Sequence, residues 1–180
     1  MKKFLLFVLF TFFASIYSHA QLSMVKMLGK EGEKSKLGYS FFCNAGFPIN
    51  EVGNRQVVIE FLDFSFFPAK DESLNNSIIG NLSIKAGFRN VFNSEGSTGF
   101  FIEPQAGYCV VVRDAVGKAT KKSGFAAAMV GGYNIGVGQR GSAISIGIKY
   151  EADMAGTDYS IQTLGFRLQY AFNMFAGSRD

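Results

Sequence analysis

From Gln21 onward the chain repeats one short pattern: large apolar residues alternate with small or polar ones, in runs separated by polar, glycine-rich breaks. The clearest run is Thr163 to Phe175, TLGFRLQYAFNMF. Leu164, Phe166, Leu168, Tyr170, Phe172 and Met174 share one parity, and Thr163, Gly165, Arg167, Gln169, Ala171 and Asn173 the other. A period of two puts successive side chains on opposite faces of an extended strand. One face is greasy and aromatic, the other small, polar or charged. About 10 such residues suffice for a tilted strand to cross a bilayer. The pattern predicts the closing strand of a membrane β-barrel.

The same rhythm divides the rest of the chain. Gln21 to Leu28 alternates weakly and is followed by a polar break, Gly29 to Ser35. Lys36 to Phe47 sets Leu37, Tyr39, Phe41, Cys43, Ala45 and Phe47 against Gly38, Ser40, Phe42, Asn44 and Gly46. A turn over 48–54 leads to Arg55 to Phe67, where Val57, Ile59 and Phe61 oppose Val58, Glu60 and Leu62 until Asp63 and Ser65 break the phase. Such a break predicts a bulge or residues beyond the bilayer. After the charged loop Ala69 to Asn76, Ser77 to Phe92 opposes Ile78, Leu82, Ile84, Ala86 and Phe88 to Asn81, Ser83, Lys85, Gly87 and Arg89.

Asn93 to Ser97 turns the chain into Thr98 to Arg113, whose Pro104 cannot donate to a ladder and predicts a second bulge. Asp114 to Lys122, with Lys118, Lys121 and Lys122, reads as a loop. Ser123 to Gly136 pairs Phe125, Ala127, Met129, Tyr133 and Ile135 with a nearly bare face of glycine, alanine and Asn134. Ser142 to Glu151 is the cleanest alternation, and Ala152 to Thr157 a loop before the last strand, which starts at Asp158. With Gln21 to Leu28 included, the pattern predicts an all-β, eight-stranded antiparallel up-and-down transmembrane β-barrel. The connections 48–54, 93–97 and 137–141 then share one rim, and 29–35, 68–76, 114–122 and 152–157 the other. Short periplasmic turns and longer outer loops are the usual asymmetry.

Alternation alone also fits a secreted, soluble, lipocalin-like barrel with a greasy inside that binds a hydrophobic ligand. The polar face decides against it. A water-facing wall is rich in Lys, Glu and Thr, whereas this face is mostly Gly, Ala, Ser and Asn with one or two charges per strand. That composition suits the cramped interior of an eight-stranded barrel. Tyr39, Tyr108, Tyr133, Tyr150 and Tyr170 lie on the greasy face and supply rings for an interfacial girdle.

Residues 1–20 fall outside this rhythm. Lys2 and Lys3, the apolar run Phe4 to Phe13 and the exit Ser18-His19-Ala20 have the order of a cleavable signal peptide for export through the inner membrane. The domain division is thus 1–20 signal peptide and 21–180 barrel. Removing two of 18 basic residues and none of 14 acidic ones lowers the net charge from +4 to +2. No basic tract remains to track phosphates, so nucleic acid is not an expected partner. Cys43 and Cys109 fall on opposite faces of the wall, which predicts two unpaired thiols.

The chemistry is largely negative. The single histidine, His19, belongs to the signal peptide, so the mature chain lacks the imidazole that Ser–His or Cys–His pairs and many metal sites require. No enzyme activity, cofactor or metal is expected, although Glu103 with a lysine or a serine could in principle act in acid–base chemistry. What remains is a set of inward polar residues: Glu60, Lys85, Arg89, Glu103, Gln105, Arg113, Lys149, Glu151, Arg167 and Gln169. These predict a salt-bridged filling of the lumen. The alternative is a narrow porin-like channel for small solutes or ions.

The segment Gly99 to Tyr108, GFFIEPQAGY, and the terminal strand resemble the small Gram-negative OmpA/OmpX-like "outer membrane protein beta-barrel domain" family over residues 36–175. In that resemblance Gly165, Leu168, Tyr170 and Phe172 are similar to the C-terminal signal read by the barrel-assembly machinery. The tail Ala176 to Asp180 departs from it. The resemblance implies a structural or porin-like protein of the outer membrane, without a cofactor. Its expected partners are membrane lipids and lipopolysaccharide, and periplasmic chaperones and the assembly machinery during biogenesis, around a monomer.

Overall fold

A computed structural model of the protein describes residues 21–70, 78–93, 96–115, 118–137, 142–156 and 160–171. Eight strands form a closed antiparallel barrel in sequence order: β1 (Gln21–Met27), β2 (Gly38–Pro48), β3 (Arg55–Phe67), β4 (Ile78–Val91), β5 (Gly99–Ala115), β6 (Lys118–Val137), β7 (Ser142–Ala155) and β8 (Ser160–Ala171). The weakly alternating first segment is a full member. β1 pairs with β2 on one side and closes the ring against β8 on the other, with Leu22 opposite Leu168 and Met24 opposite Phe166. The signal-peptide segment and Phe172 to Phe175 lie outside the described residues.

The two faces are as the alternation predicts. Leu22, Tyr39, Phe64, Ile84, Tyr108, Phe125, Ile148 and Phe166 are exposed, and every neighbouring inward position on these strands is buried or half-buried. All five tyrosines of the expected girdle are on the outer wall. Near one rim Phe100 and Tyr133 pack edge to face, with centroids 4.8 Å apart. A lipocalin-like arrangement needs the reverse, a greasy interior under a polar wall.

The phase break in β3 is a bulge. Asn44 faces Glu60 but Cys43 faces Leu62, and on the other side Glu60 faces Lys85 while Asp63 faces Ser83. One extra residue therefore restores the inward direction for Asp63 and Ser65, both buried, and turns Phe64 and Phe66 outward. Pro104, by contrast, makes no bulge. Its register with β6 is continuous, and the register with β4 resumes at Asn90 and Ile102 without a shift. The absent N–H leaves a gap in the β4 ladder around Phe88 and Arg89, and nothing more.

Three segments expected to be loops are structured. The polar break holds a short helix, α1 (Gly29–Lys34). Gly29 enters it at φ +68°, and a side chain on Gly32 would strike the carbonyl of Met27. Most of Asp114 to Lys122 continues the β5–β6 hairpin, up to the pair Ala115 and Lys118. Of the loop placed at Ala152 to Thr157, the residues through Ala155 belong to β7, paired with β6 and, as far as Met154, with β8. Polar composition suggested loops here, but a hairpin that rises past the bilayer can be polar on both faces. Both cysteines are free and buried, Cys43 included, although it was expected on the open outer face.

Candidate functional site

Among the described residues the lumen is where the fold gathers chemistry, and four of its strands supply most of it. Inward glycines on β4 to β8 clear the space: a Cβ on Gly107 or Gly132 would collide with the backbone of the neighbouring strand. Larger polar side chains then reach across the barrel.

The central cluster ties β3 and β4 to β7 and β8. Lys85 Nζ lies 3.1 Å from Glu60 Oε1, 2.9 Å from Asp63 Oδ2 and 2.7 Å from Glu151 Oε1, and also donates to Ser83 Oγ at 2.6 Å. Lys149 Nζ sits among Glu60, Asp63 and Glu151. Arg167 donates to Glu60 Oε2 at 2.5 Å, and its guanidinium carbon lies 3.5 Å from the centroid of the Phe42 ring. Ser40 Oγ donates to Asp63 Oδ1 at 2.7 Å. Burial of this many charges is tolerable only when each is paired and hydrogen-bonded.

A second cluster lies toward the rim that carries the 48–54 turn. Arg89 Nε donates to Glu103 Oε2 at 2.5 Å, Gln105 Nε2 to Glu103 Oε1 at 2.6 Å, and Arg89 also stacks over Phe101. Gln169 links Arg89 to Asn44, which also accepts from Gln21. Of the ten lumen residues expected from the sequence, nine are buried in these two clusters. The tenth, Arg113, is half-buried at the rim and pairs with Glu31 of α1.

Sequence reasoning missed Asp63, because parity was counted through the bulge, and Asp153, because it lay in a segment read as loop. Asp153 accepts from Asn81 Nδ2 at 2.7 Å. It also missed the buried apolar clusters toward the two rims. Toward the α1 rim Val25, Met27, Phe67, Ile79, Val111, Ala155 and Ile161 form one buried cluster. Toward the other rim Val91, Phe101 and Val130 form another. The signal for the first was visible: Val25 and Met27 stand on the parity otherwise held by small and polar residues.

The arrangement has the properties of a plug. Buried lumen charges among the described residues are Lys85, Arg89, Lys149 and Arg167 against Glu60, Asp63, Glu103, Glu151 and Asp153, so 4 − 5 = −1. Apart from Asp153, which is held by Asn81, opposite charges are interleaved and mutually bonded, whereas a selective pore presents rings of one sign to water. A cavity bounded by Ser40, Phe42, Lys149 and Arg167 has a volume of about 10 Å³, room for one water. Among the described residues no group of three or more His, Cys, Asp or Glu side chains is placed to hold a metal ion.

No family model matches the chain, and no curated protein matches it either. Solved structures do. Neisserial surface protein A superposes with a TM-score of 0.63 at 13% identity, covering 86% of this chain and 94% of that one. Ail, the attachment invasion locus protein of Yersinia pestis, in complex with the heparin analogue sucrose octasulfate, superposes with a TM-score of 0.50 at 17% identity, again over 86% and 94%. At such identities the likeness is one of fold. The chain has the fold of the small eight-stranded outer-membrane β-barrels.

Proposed function

We propose that this chain is an integral outer-membrane β-barrel protein with a structural or interaction role, closed to the passage of solutes. The observation that carries the reading is the division of the wall. Leu, Ile, Phe, Val, Met and Tyr cover the outside at a density that monomeric soluble proteins rarely display, and all but one of the buried charges are paired within. In this reading the greasy wall contacts membrane lipids and the lipid part of lipopolysaccharide. Lys121 and Lys122, exposed on the raised β5–β6 hairpin, stand where anionic headgroups are reached. The signal peptide exports the chain, the barrel-assembly machinery and periplasmic chaperones insert it, and the barrel acts as a monomer. Leu168 and Tyr170 lie on the outer face of β8 and Gly165 on the inner, which supports a role for this strand in assembly. The residues support no catalytic assignment and call for no cofactor.

A narrow channel is the second reading, supported by the number of charges in the lumen. The interleaved pairing and the apolar clusters at both ends favour the closed one. The test is fractionation of the expressed protein followed by gel mobility with and without boiling. Recovery in outer membranes with a heat-shifted band is expected. Recovery as a soluble protein without such a shift would overturn the reading.

A further inference from the structure

The segment between β1 and β2 does more than connect two adjacent strands. Glu31, on α1, forms an ion pair with Arg113, on β5. In a ring of eight strands in sequence order, β5 stands opposite β1. The pair therefore spans the mouth of the barrel, and α1 lies over the opening instead of beside it. Other contacts hold the base of the segment. Lys26 Nζ donates to Gly32 O at 3.2 Å and Ser35 O at 3.0 Å, satisfying carbonyls that the end of so short a helix leaves open. Ser35 bridges to Ala69, and backbone bonds run from Lys36 N to Pro68 O and from Lys70 N to Lys34 O. All these contacts are to β1 or to residues that follow β3, on the near side of the mouth. At the far side, Glu31 reaches Arg113. Both side chains are partly open to solvent, 24% and 31%, so their attraction is screened by salt while the base bonds are little affected. Directly beneath lies the apolar cluster of Met27, Phe67, Ile79, Val111 and Ile161.

We infer that α1 is a lid over this mouth of the barrel, hinged on its β1 and β3 attachments and latched to the far wall by the Glu31–Arg113 pair. Lifting the lid exposes the apolar cluster to the outside, and raised ionic strength or loss of either charge lifts it.

The test uses the full mature chain folded in lipid, with Cys43→Ser and Cys109→Ser to remove the native thiols and Val111→Cys as a reporter under the lid. The readout is the rate of labelling by a charged, membrane-impermeant thiol reagent, scored only in protein that still gives a heat-shifted band. Glu31→Arg and Arg113→Glu are each expected to raise the rate about tenfold, and the double reversal to return it to within about twofold of the parent. Glu31→Gln, which leaves no like charges facing one another, is expected to raise it severalfold. Raising salt from roughly 0.1 to 1 M shortens the screening length from about 10 to 3 Å and is expected to speed labelling of the parent but not of Glu31→Gln. Equal rates in parent and single variants, or a double reversal as fast as the singles, would overturn the lid.

Discussion

In the middle of the lumen Glu60, Asp63 and Lys85 from one wall meet Lys149, Glu151 and Arg167 from the opposite one, whereas toward the rims buried Val, Met, Phe and Ile form apolar clusters. In the proposed plug both regions exclude solutes, yet they are expected to respond differently to damage. The ionic centre depends on completeness, since removal of one partner leaves an uncompensated charge in a dry interior. The apolar ends depend on volume, and a shortened side chain costs transfer energy and leaves a cavity. The comparison also separates two jobs. The centre joins β3 and β4 to β7 and β8 through side chains, which neighbouring-strand hydrogen bonds cannot do. In the proposed plug the apolar clusters shield those charges from water, which limits screening of the pairs.

The sharpest way to break the contrast is Glu60→Ala. Glu60 is fully buried and pairs with Lys85, Lys149 and Arg167, so its loss strands Arg167 and takes one of three carboxylates from each lysine. The expected loss is at least the about 3–5 kcal/mol typical of a broken buried pair, read from the denaturant midpoint of the heat-shifted band. Glu103→Ala strands only Arg89, which retains Gln169 and the Phe101 ring, and is expected to fall at the low end, about 3 kcal/mol. An unchanged heat shift and midpoint in Glu103→Ala would refute its place in the plug. Ile161→Ala, at the apolar end, is expected to cost about 2–3 kcal/mol and to leave the ionic centre and the closed lumen intact. On the outer wall, Ile148→Arg at mid-strand should cost about 2–4 kcal/mol in a bilayer and far less in a detergent micelle that can rearrange. The smallest effect is expected for Cys43→Ser with Cys109→Ser: reduced and non-reduced samples of the parent and of this variant should run alike, because the thiols are unpaired.

The strand count and the sense of the two faces were legible because the contrast between faces is large on nearly every strand. Ser142 to Glu151 needed no more than its alternation. Legibility ended where that contrast carried no information. Asp63 was lost to a parity count that the bulge after Glu60 had already shifted by one residue. Asp153 and the Lys118 to Lys122 stretch were read as loops because polarity marks both loops and strand ends above a membrane. Pro104 was given a bulge that the register does not show, since a sheet can forgo a hydrogen bond without inserting a residue. α1 is too short for a helical period to appear. Which acid meets which base across the barrel depends on the shear of the closed sheet, and alternation along one strand does not contain it.

Whether the lumen of this membrane barrel is filled is decided by ionic conductance across a planar bilayer holding the purified, folded protein. The expected result is a conductance at the lipid background, unchanged by applied voltage within the range the bilayer survives. Discrete, reproducible opening steps from the unmodified protein would contradict it and establish the polar lumen as a conducting path.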